Sequence, residues 1–139
     1  TRRGKSQNVR HVVDKLNSLR NQTAKEHLFD VRPWGKYTVL RNENHYKSKV
    51  IEIDPHAQIS YQSHAKRSEH WIVVRGQGEA IINEVAHPLK AGDAVFIPQG
   101  AKHRMRNTGD SVMEFVEVQT GTYFGEDDIV RYQDDYQRV

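Results

Sequence analysis

Between residues 34 and 119 the apolar positions fall into short runs with a period of two, each closed by a turn signal. Runs at 37–40, 47–53, 59–62, 71–74, 80–82, 94–97 and 113–118 are rich in β-branched and aromatic side chains, which suit a pleated, half-buried surface. Between them stand Asp54-Pro55, Gly76-Gln77-Gly78, Gly92-Asp93, Pro98-Gln99-Gly100 and Asn107-Thr108-Gly109-Asp110. No helical period lasts for about ten residues here, so the pattern predicts strands. Many short, evenly spaced strands imply a sandwich or a small barrel. The first part of the chain reads differently. Val9, Val12, Val13, Leu16 and Leu19 recur at steps of three and four, which predicts a helix over 8–20. Asn21-Gln22-Thr23 ends it, and 22–31 reads as a linker. The expected organisation is an arm with a helix over 1–31, then one β domain over 32–139.

Composition narrows the classes. At 139 residues and 16.1 kDa the chain has the length of one domain with an arm. It contains no Cys, which excludes disulfides, thiolate catalysis and Cys-ligated zinc. No apolar run is long enough for a membrane-crossing helix, and no stretch reads as a signal peptide. No membrane partner is therefore expected, and a cytoplasmic home is. The chain opens on Thr1 rather than Met, so the sequence predicts an excised or truncated piece. The net charge of +3 comes from the arm. Residues 26–139 hold fourteen basic and seventeen acidic residues, with Glu126-Asp127-Asp128 as an acidic tail. Phosphate-backbone binding needs a basic face, so no nucleic-acid partner is expected.

The chemistry concentrates in two clusters. In the first, Gln62 and His64 are two residues apart and share a face of a strand. A turn of about four residues then returns Glu69 beside them. Glu69 and His70 are neighbours, so on a regular strand they face opposite ways and at most one points into the same site. In the second cluster, Pro98-Gln99-Gly100 ends one strand and presents His103 at the start of the next. Imidazoles, a carboxylate and an amide oxygen on rigid strands suit a divalent metal: imidazole favours Zn, Fe, Ni and Co, and oxygen ligands add Mn.

The spacing of the whole set resembles the two cupin motifs. Gln62-x-His64-x4-Glu69-x6-Gly76 is similar to the first, with Gln at the usual first His. Gly92-x5-Pro98-x-Gly100-x2-His103-x3-Asn107 is similar to the second at every fixed position. Arg32-Pro33-Trp34-Gly35-x-Tyr37, Tyr46-Lys47-x-Lys49, Arg67-x-Glu69-His70-Trp71 and Glu117-Val118-Gln119-x-Gly121-x-Tyr123, running on to Ile129-x-Arg131, narrow the resemblance. They look like the C-terminal domain of bacterial mannose-1-phosphate guanylyltransferase/mannose-6-phosphate isomerase, the type II isomerase. The likeness covers 32–136. It departs at His56, where the family commonly has Gly, at Ala65-Lys66, where it has His-His, and at Tyr61, where it has Leu.

The resemblance implies an all-β jelly-roll cupin after the N-terminal helix. It implies metal ligands Gln62, His64, Glu69 and His103, with zinc first and Co, Mn, Ni or Fe as alternatives. It implies a metal-dependent interconversion of mannose 6-phosphate and fructose 6-phosphate, feeding GDP-mannose and polysaccharide synthesis. The partners implied are a sugar phosphate, a second copy in a homodimer, and a nucleotidyltransferase domain absent from this chain. Enediol chemistry needs a base, for which His70 and Glu117 are candidates. A phosphate needs cations, for which Lys49 and Arg104 are candidates, with Arg67 and Arg131 matched in motif. Two rivals stand beside the isomerase. A non-catalytic sugar-phosphate-binding or assembly cupin would bind without converting. An iron oxidoreductase cupin would consume oxygen.

Overall fold

The computed structural model describes residues 29–133, and every regular element among them is a β-strand. In chain order these are β1 (Phe29–Arg32), β2 (Gly35–Asn42), β3 (Tyr46–Ile53), β4 (Tyr61–Ser63), β5 (Arg67–Arg75), β6 (Gln77–Ile82), β7 (Val85–Lys90), β8 (Ala94–Ile97), β9 (His103–Asn107), β10 (Met113–Gly121) and β11 (Val130–Gln133). By its contacts the chain divides into Thr1–Asp30 and Val31–Val139. The helix expected over 8–20 lies outside the described residues.

The strands form two sheets. One has six strands in the order β1-β2-β3-β10-β5-β8, and the other has five in the order β11-β4-β9-β6-β7. The paired strands run antiparallel. Each of the seven apolar runs lies wholly or partly in a strand, often a longer one. Residues 71–74 belong to the nine-residue β5, and 59–62 shrinks to the three-residue β4. Glu79 pairs with Pro88, which removes one ladder donor, and β7 accordingly sits at a sheet edge.

Register divides the inner face of the larger sheet into a dry end and a polar end. Ile53 lies opposite Met113, and Ile51 opposite Phe115, which in turn faces Val73. These residues are buried with Trp71, Ile97 and Met105 in one apolar cluster. Two residues along each strand the chemistry changes. Lys49 lies opposite Glu117 and Glu117 opposite Trp71, while Lys47 lies opposite Gln119 and Gln119 opposite Glu69. All of these are buried. Period-two alternation thus carries one face from hydrocarbon into a cluster of charges without leaving the interior. Buried charges are costly unless they are paired, so this end of the barrel is a place where function is to be sought.

Candidate active site

Four residues approach one another from the two sheets. Glu69 comes from β5, Gln62 from β4, His64 from the turn after β4, and His103 from the first position of β9, directly opposite Gln62. The turn carrying His64 is held from several sides. The Asp128 carboxylate accepts the backbone N–H of Ala65 and of Lys66, at 3.1 and 2.9 Å. The N–H of Gly100 donates to the His64 carbonyl at 2.9 Å, and that of Thr122 to the Lys66 carbonyl at 3.0 Å.

The two imidazoles have their tautomers set by backbone carbonyls. His64 Nδ1 lies 2.6 Å from the Asp128 carbonyl oxygen, and His103 Nδ1 lies 3.0 Å from that of Ala101. A carbonyl only accepts, so Nδ1 carries a proton in each, and the tautomer this selects for a neutral ring has its lone pair on Nε2. Both Nε2 atoms face Glu69, with that of His64 at 3.4 Å from Oε2 and that of His103 at 3.5 Å from Oε1. Burial, with the Arg67 guanidinium second, pushes the His64 pKa down to about 4, so this ring is neutral near pH 7. The Arg67 guanidinium bridges His64 Nε2 and the Glu69 carboxylate on one side of this cluster. The donor atoms of His64, Glu69 and His103 lie within 4.8 Å of one another. Ligands about 2.0–2.1 Å from a tetrahedral ion stand about 3.3–3.4 Å apart, so the nitrogen–oxygen separations here fit a bound divalent ion. Gln62 donates its amide nitrogen to the carbonyl and hydroxyl of Ser60, both at 3.1 Å, which leaves its oxygen as the acceptor for the cavity it lines.

A second carboxylate stands behind the first. Trp71 Nε1 lies 3.1 Å from an oxygen of Glu69 and 3.1 Å from one of Glu117. Burial raises the Glu117 pKa and the Glu69 charge raises it further, while Lys49 and Arg67 oppose the rise. Gln119 donates its amide to the other Glu117 oxygen. Arg67 donates Nε to Glu69 at 2.9 Å and points Nη2 at His64 Nε2, 3.1 Å away. Its Nη1 is buried without a partner.

Cations rim the same cavity: Arg32, Lys49, Arg67 and Arg131 all line it. Lys49 sits 4.4 Å over the Tyr37 ring and donates to Glu126 at 2.9 Å. Burial works against its charge, but Glu117 and Glu126 outweigh burial and the Lys49 pKa is raised.

Two of the sequence candidates fall elsewhere. His70 is exposed and packs against Phe96 with ring centroids 4.6 Å apart, on the side of β5 opposite Glu69. Arg104 is buried, but it alternates with His103 and Met105 and is engaged away from the cavity. Its Nε donates to the Ile59 carbonyl at 2.9 Å, its guanidinium lies 5.9 Å over Tyr61, and it does not line the cavity. The structure also adds residues that sequence reasoning missed. Trp71 is one: two positions from Glu69 it shares that residue's inward face, and this alternation is the signal in the sequence that could find it. Glu126 and Asp128 were read as an acidic tail but close over the site, and no periodicity announces a loop contact of that range.

A family described as the mannose-6-phosphate isomerase C-terminal domain matches residues 19–134. The chain belongs to this family. Among its relatives, the xanthan biosynthesis protein XanB of Xanthomonas campestris pv. campestris is 40% identical over 99% of this chain and 29% of its own length. A mannose-1-phosphate guanylyltransferase of Salmonella montevideo is 39% identical over 95% of this chain and 28% of its own. The chain thus spans under a third of the length of these relatives. Among solved structures, an uncharacterized Klebsiella pneumoniae protein with a double-stranded β-helix domain superposes with a TM-score of 0.65 at 25% identity, covering 75% of this chain and 91% of that one. The fold is the cupin double-stranded β-helix.

Proposed function

We propose that this domain is a metal-dependent aldose–ketose isomerase that interconverts mannose 6-phosphate and fructose 6-phosphate, supplying GDP-mannose synthesis. One observation carries the reading. The Nε2 atoms of His64 and His103 converge on buried Glu69, while a second buried carboxylate, Glu117, sits one shared N–H away with a raised pKa. The family supports the substrate, and the clustered donor atoms of His64, Glu69 and His103 beside Glu117 support the metal and the base.

His64, Glu69, His103 and Gln62 are the residues that hold the ion, with zinc first among the candidates. When bound, the ion supplies the positive charge that polarises the sugar's carbonyl and adjacent hydroxyl oxygens. Glu117 takes the carbon-bound proton beside the carbonyl and returns it to the neighbouring carbon, while the hydroxyl proton moves to the former carbonyl oxygen. Burial and the Glu69 charge raise its pKa, which makes it a stronger base than a free carboxylate, as proton abstraction from carbon requires. Trp71 fixes the Glu117 carboxylate, and Gln119 holds its second oxygen. Lys49 and the arginines at the mouth neutralise the substrate's phosphate.

The test is a coupled isomerase assay on the chain after chelation, followed by resupply of Zn, Co, Mn, Ni or Fe. Activity should vanish on chelation and return with at least one ion. A folded, metal-loaded chain that binds sugar phosphate without converting it would instead make this a binding module.

A further inference from the structure

The segment between β10 and β11, residues 122–129, crosses the mouth of the cavity as a strap. Beside the Thr122–Lys66 backbone bond and a Lys47 contact to the Phe124 carbonyl, two fastenings do different work. At one, Asp128 caps the Ala65–Lys66 turn and holds His64 through its carbonyl. At the other, Glu126 puts one oxygen, Oε2, 2.9 Å from Lys49 Nζ and 3.2 Å from Lys47 Nζ. The two lysines differ from Glu126 in exposure. The Lys49 and Lys47 side chains are 7% and 11% exposed, whereas the Glu126 side chain is 52% exposed. Two buried ammonium groups two residues apart on one strand are an anion site built at a desolvation cost, and its present occupant stands at the solvent edge. Lys49 and Glu126 line the same cavity as Glu69, His103 and Glu117.

We infer that Glu126 is a resident surrogate anion, which the phosphate monoester of the substrate displaces from Lys49 and Lys47. The inference rests on the reading above in taking the substrate to carry a phosphate. A phosphate dianion brings about twice the charge of a carboxylate and three acceptor oxygens, so it can satisfy both lysines at once where Glu126 spends a single oxygen. The exposed carboxylate leaves into water at little cost. The exchange unfastens one end of the strap and leaves the Asp128 end on the His64 turn. An empty site therefore keeps its lysines paired, and the charge is released only to a ligand of matching chemistry.

The probe is inorganic phosphate, followed by calorimetry on the metal-free chain, with mannose 6-phosphate as a second arm. Glu126→Gln removes the competitor and should tighten phosphate binding roughly ten-fold, because a charge-assisted contact no longer has to be broken. Asp127→Asn removes the same charge one residue away and should change affinity little; an equal gain in both variants would reduce the effect to net charge and overturn the inference. Unchanged or weaker binding to Glu126→Gln would overturn it as well, by making Glu126 a helper of the ligand. Because that variant could lose its strap, the wild-type chain carries an independent arm. Saturating phosphate should speed amide hydrogen exchange across 122–127, and slower exchange there would mean that the strap closes on the anion with Glu126 in place. None of these readouts involves turnover. Phosphate behaviour as expected in a chain without isomerase activity would keep the surrogate anion and end the isomerase, and the reverse result would do the opposite.

Discussion

Glu69 and Glu117 share one proton donor: Trp71 Nε1 stands 3.1 Å from an oxygen of each. The sharing follows from register, since Trp71 lies opposite Glu117 across β5 and β10 and two positions from Glu69 along β5. One N–H cannot solvate two buried carboxylates as well as water does, so ionising both is disfavoured. Their surroundings then separate the two. Glu69 also accepts from Arg67 and has the Nε2 atoms of His64 and His103 at 3.4 and 3.5 Å. Glu117 has the Gln119 amide and the Lys49 charge, and its pKa rises despite them. The two carboxylates thus differ in their partners although they share a donor.

Removing an imidazole tests the metal site. His64→Ala and His103→Ala should fold, because each side chain contributes mainly polar contacts at the rim of the apolar cluster. Each should weaken metal binding by at least ~10²-fold, since even outer contacts of a metal site cost about 10–100-fold when lost. Elemental analysis after dialysis against a chelator is the measurement. Unchanged stoichiometry in both variants removes the metal site.

Gln62 offers a neutral, weak oxygen ligand whose amide is oriented by Ser60. Gln62→His restores the generic cupin set. It should tighten the ion and lower isomerase turnover, because an imidazole donates more strongly than the amide oxygen it replaces and would reduce the ion's polarising power. If affinity and turnover both stay the same, Gln62 is not a ligand.

Much of this arrangement is legible in the sequence wherever a period is at work. Alternation placed Glu69 and His70 on opposite faces, and the structure has Glu69 buried and His70 exposed. The same alternation, applied one step further, would have turned Arg104 to the face opposite His103. The motif glycines are legible for a different reason. Gly76, Gly92 and Gly100 all take positive φ, at 82°, 97° and 85°, so their spacing records backbone turns rather than chemistry. His56, where the family commonly has Gly, takes φ of 62° in its turn. What stays illegible has no period. β7 is almost wholly exposed and carries Pro88, so its pattern resembles a loop. Glu126 reaches Lys49 across 77 residues of chain, and nothing local to either residue encodes that meeting.

Gly76 and Gly100 separate two costs of adding a Cβ. At Gly100 the new atom meets nothing within 4 Å, so Gly100→Ala should lose only about 1–2 kcal/mol for the left-handed backbone. At Gly76 it would lie 3.0 Å from the Val112 carbonyl oxygen and 3.1 Å from Met113 Cα, adding about 1–3 kcal/mol of crowding. Denaturant melts of the two variants give the comparison. Equal losses would show that the backbone around Gly76 yields freely.

Glu126 gives a pH signature in stability. Burial works against its charge, yet Lys49 and Lys47 draw its pKa down to about 2 from the usual 4.5. A carboxylate depressed on folding stabilises above its unfolded pKa and loses that contribution as the pH falls toward the folded value. Wild type should therefore lose stability between about pH 5 and pH 2, and Glu126→Gln should lose less over the same window. The difference should be small, because half-exposed ion pairs are screened. Parallel acid limbs in urea melts would show that the Glu126 pairs contribute nothing measurable to folding.

The identity of the base can be read from hydrogen itself. If a protein carboxylate lifts the proton from carbon, that proton can exchange with solvent before it is returned. Incubating the metal-loaded chain with fructose 6-phosphate in deuterated water should then place deuterium on the carbon beside the new aldehyde. Glu117 is buried among the metal-facing groups, whereas His70 is exposed and stacked on Phe96. Glu117→Gln keeps the shape and the partner of the Trp71 indole but removes the basic oxygen. It should retain metal and lower both turnover and label by about 10² to 10⁴-fold, the usual worth of a positioned general base. His70→Asn should leave label, turnover and metal content close to wild type. Mass spectrometry of the recovered sugar phosphate measures the label, and elemental analysis guards against a trivial loss of the ion. Product formed without label would point to a hydride shift and relieve Glu117 of the task. Full exchange in Glu117→Gln together with its loss in His70→Asn would put the proton on the outer face of β5, against the geometry of the cavity.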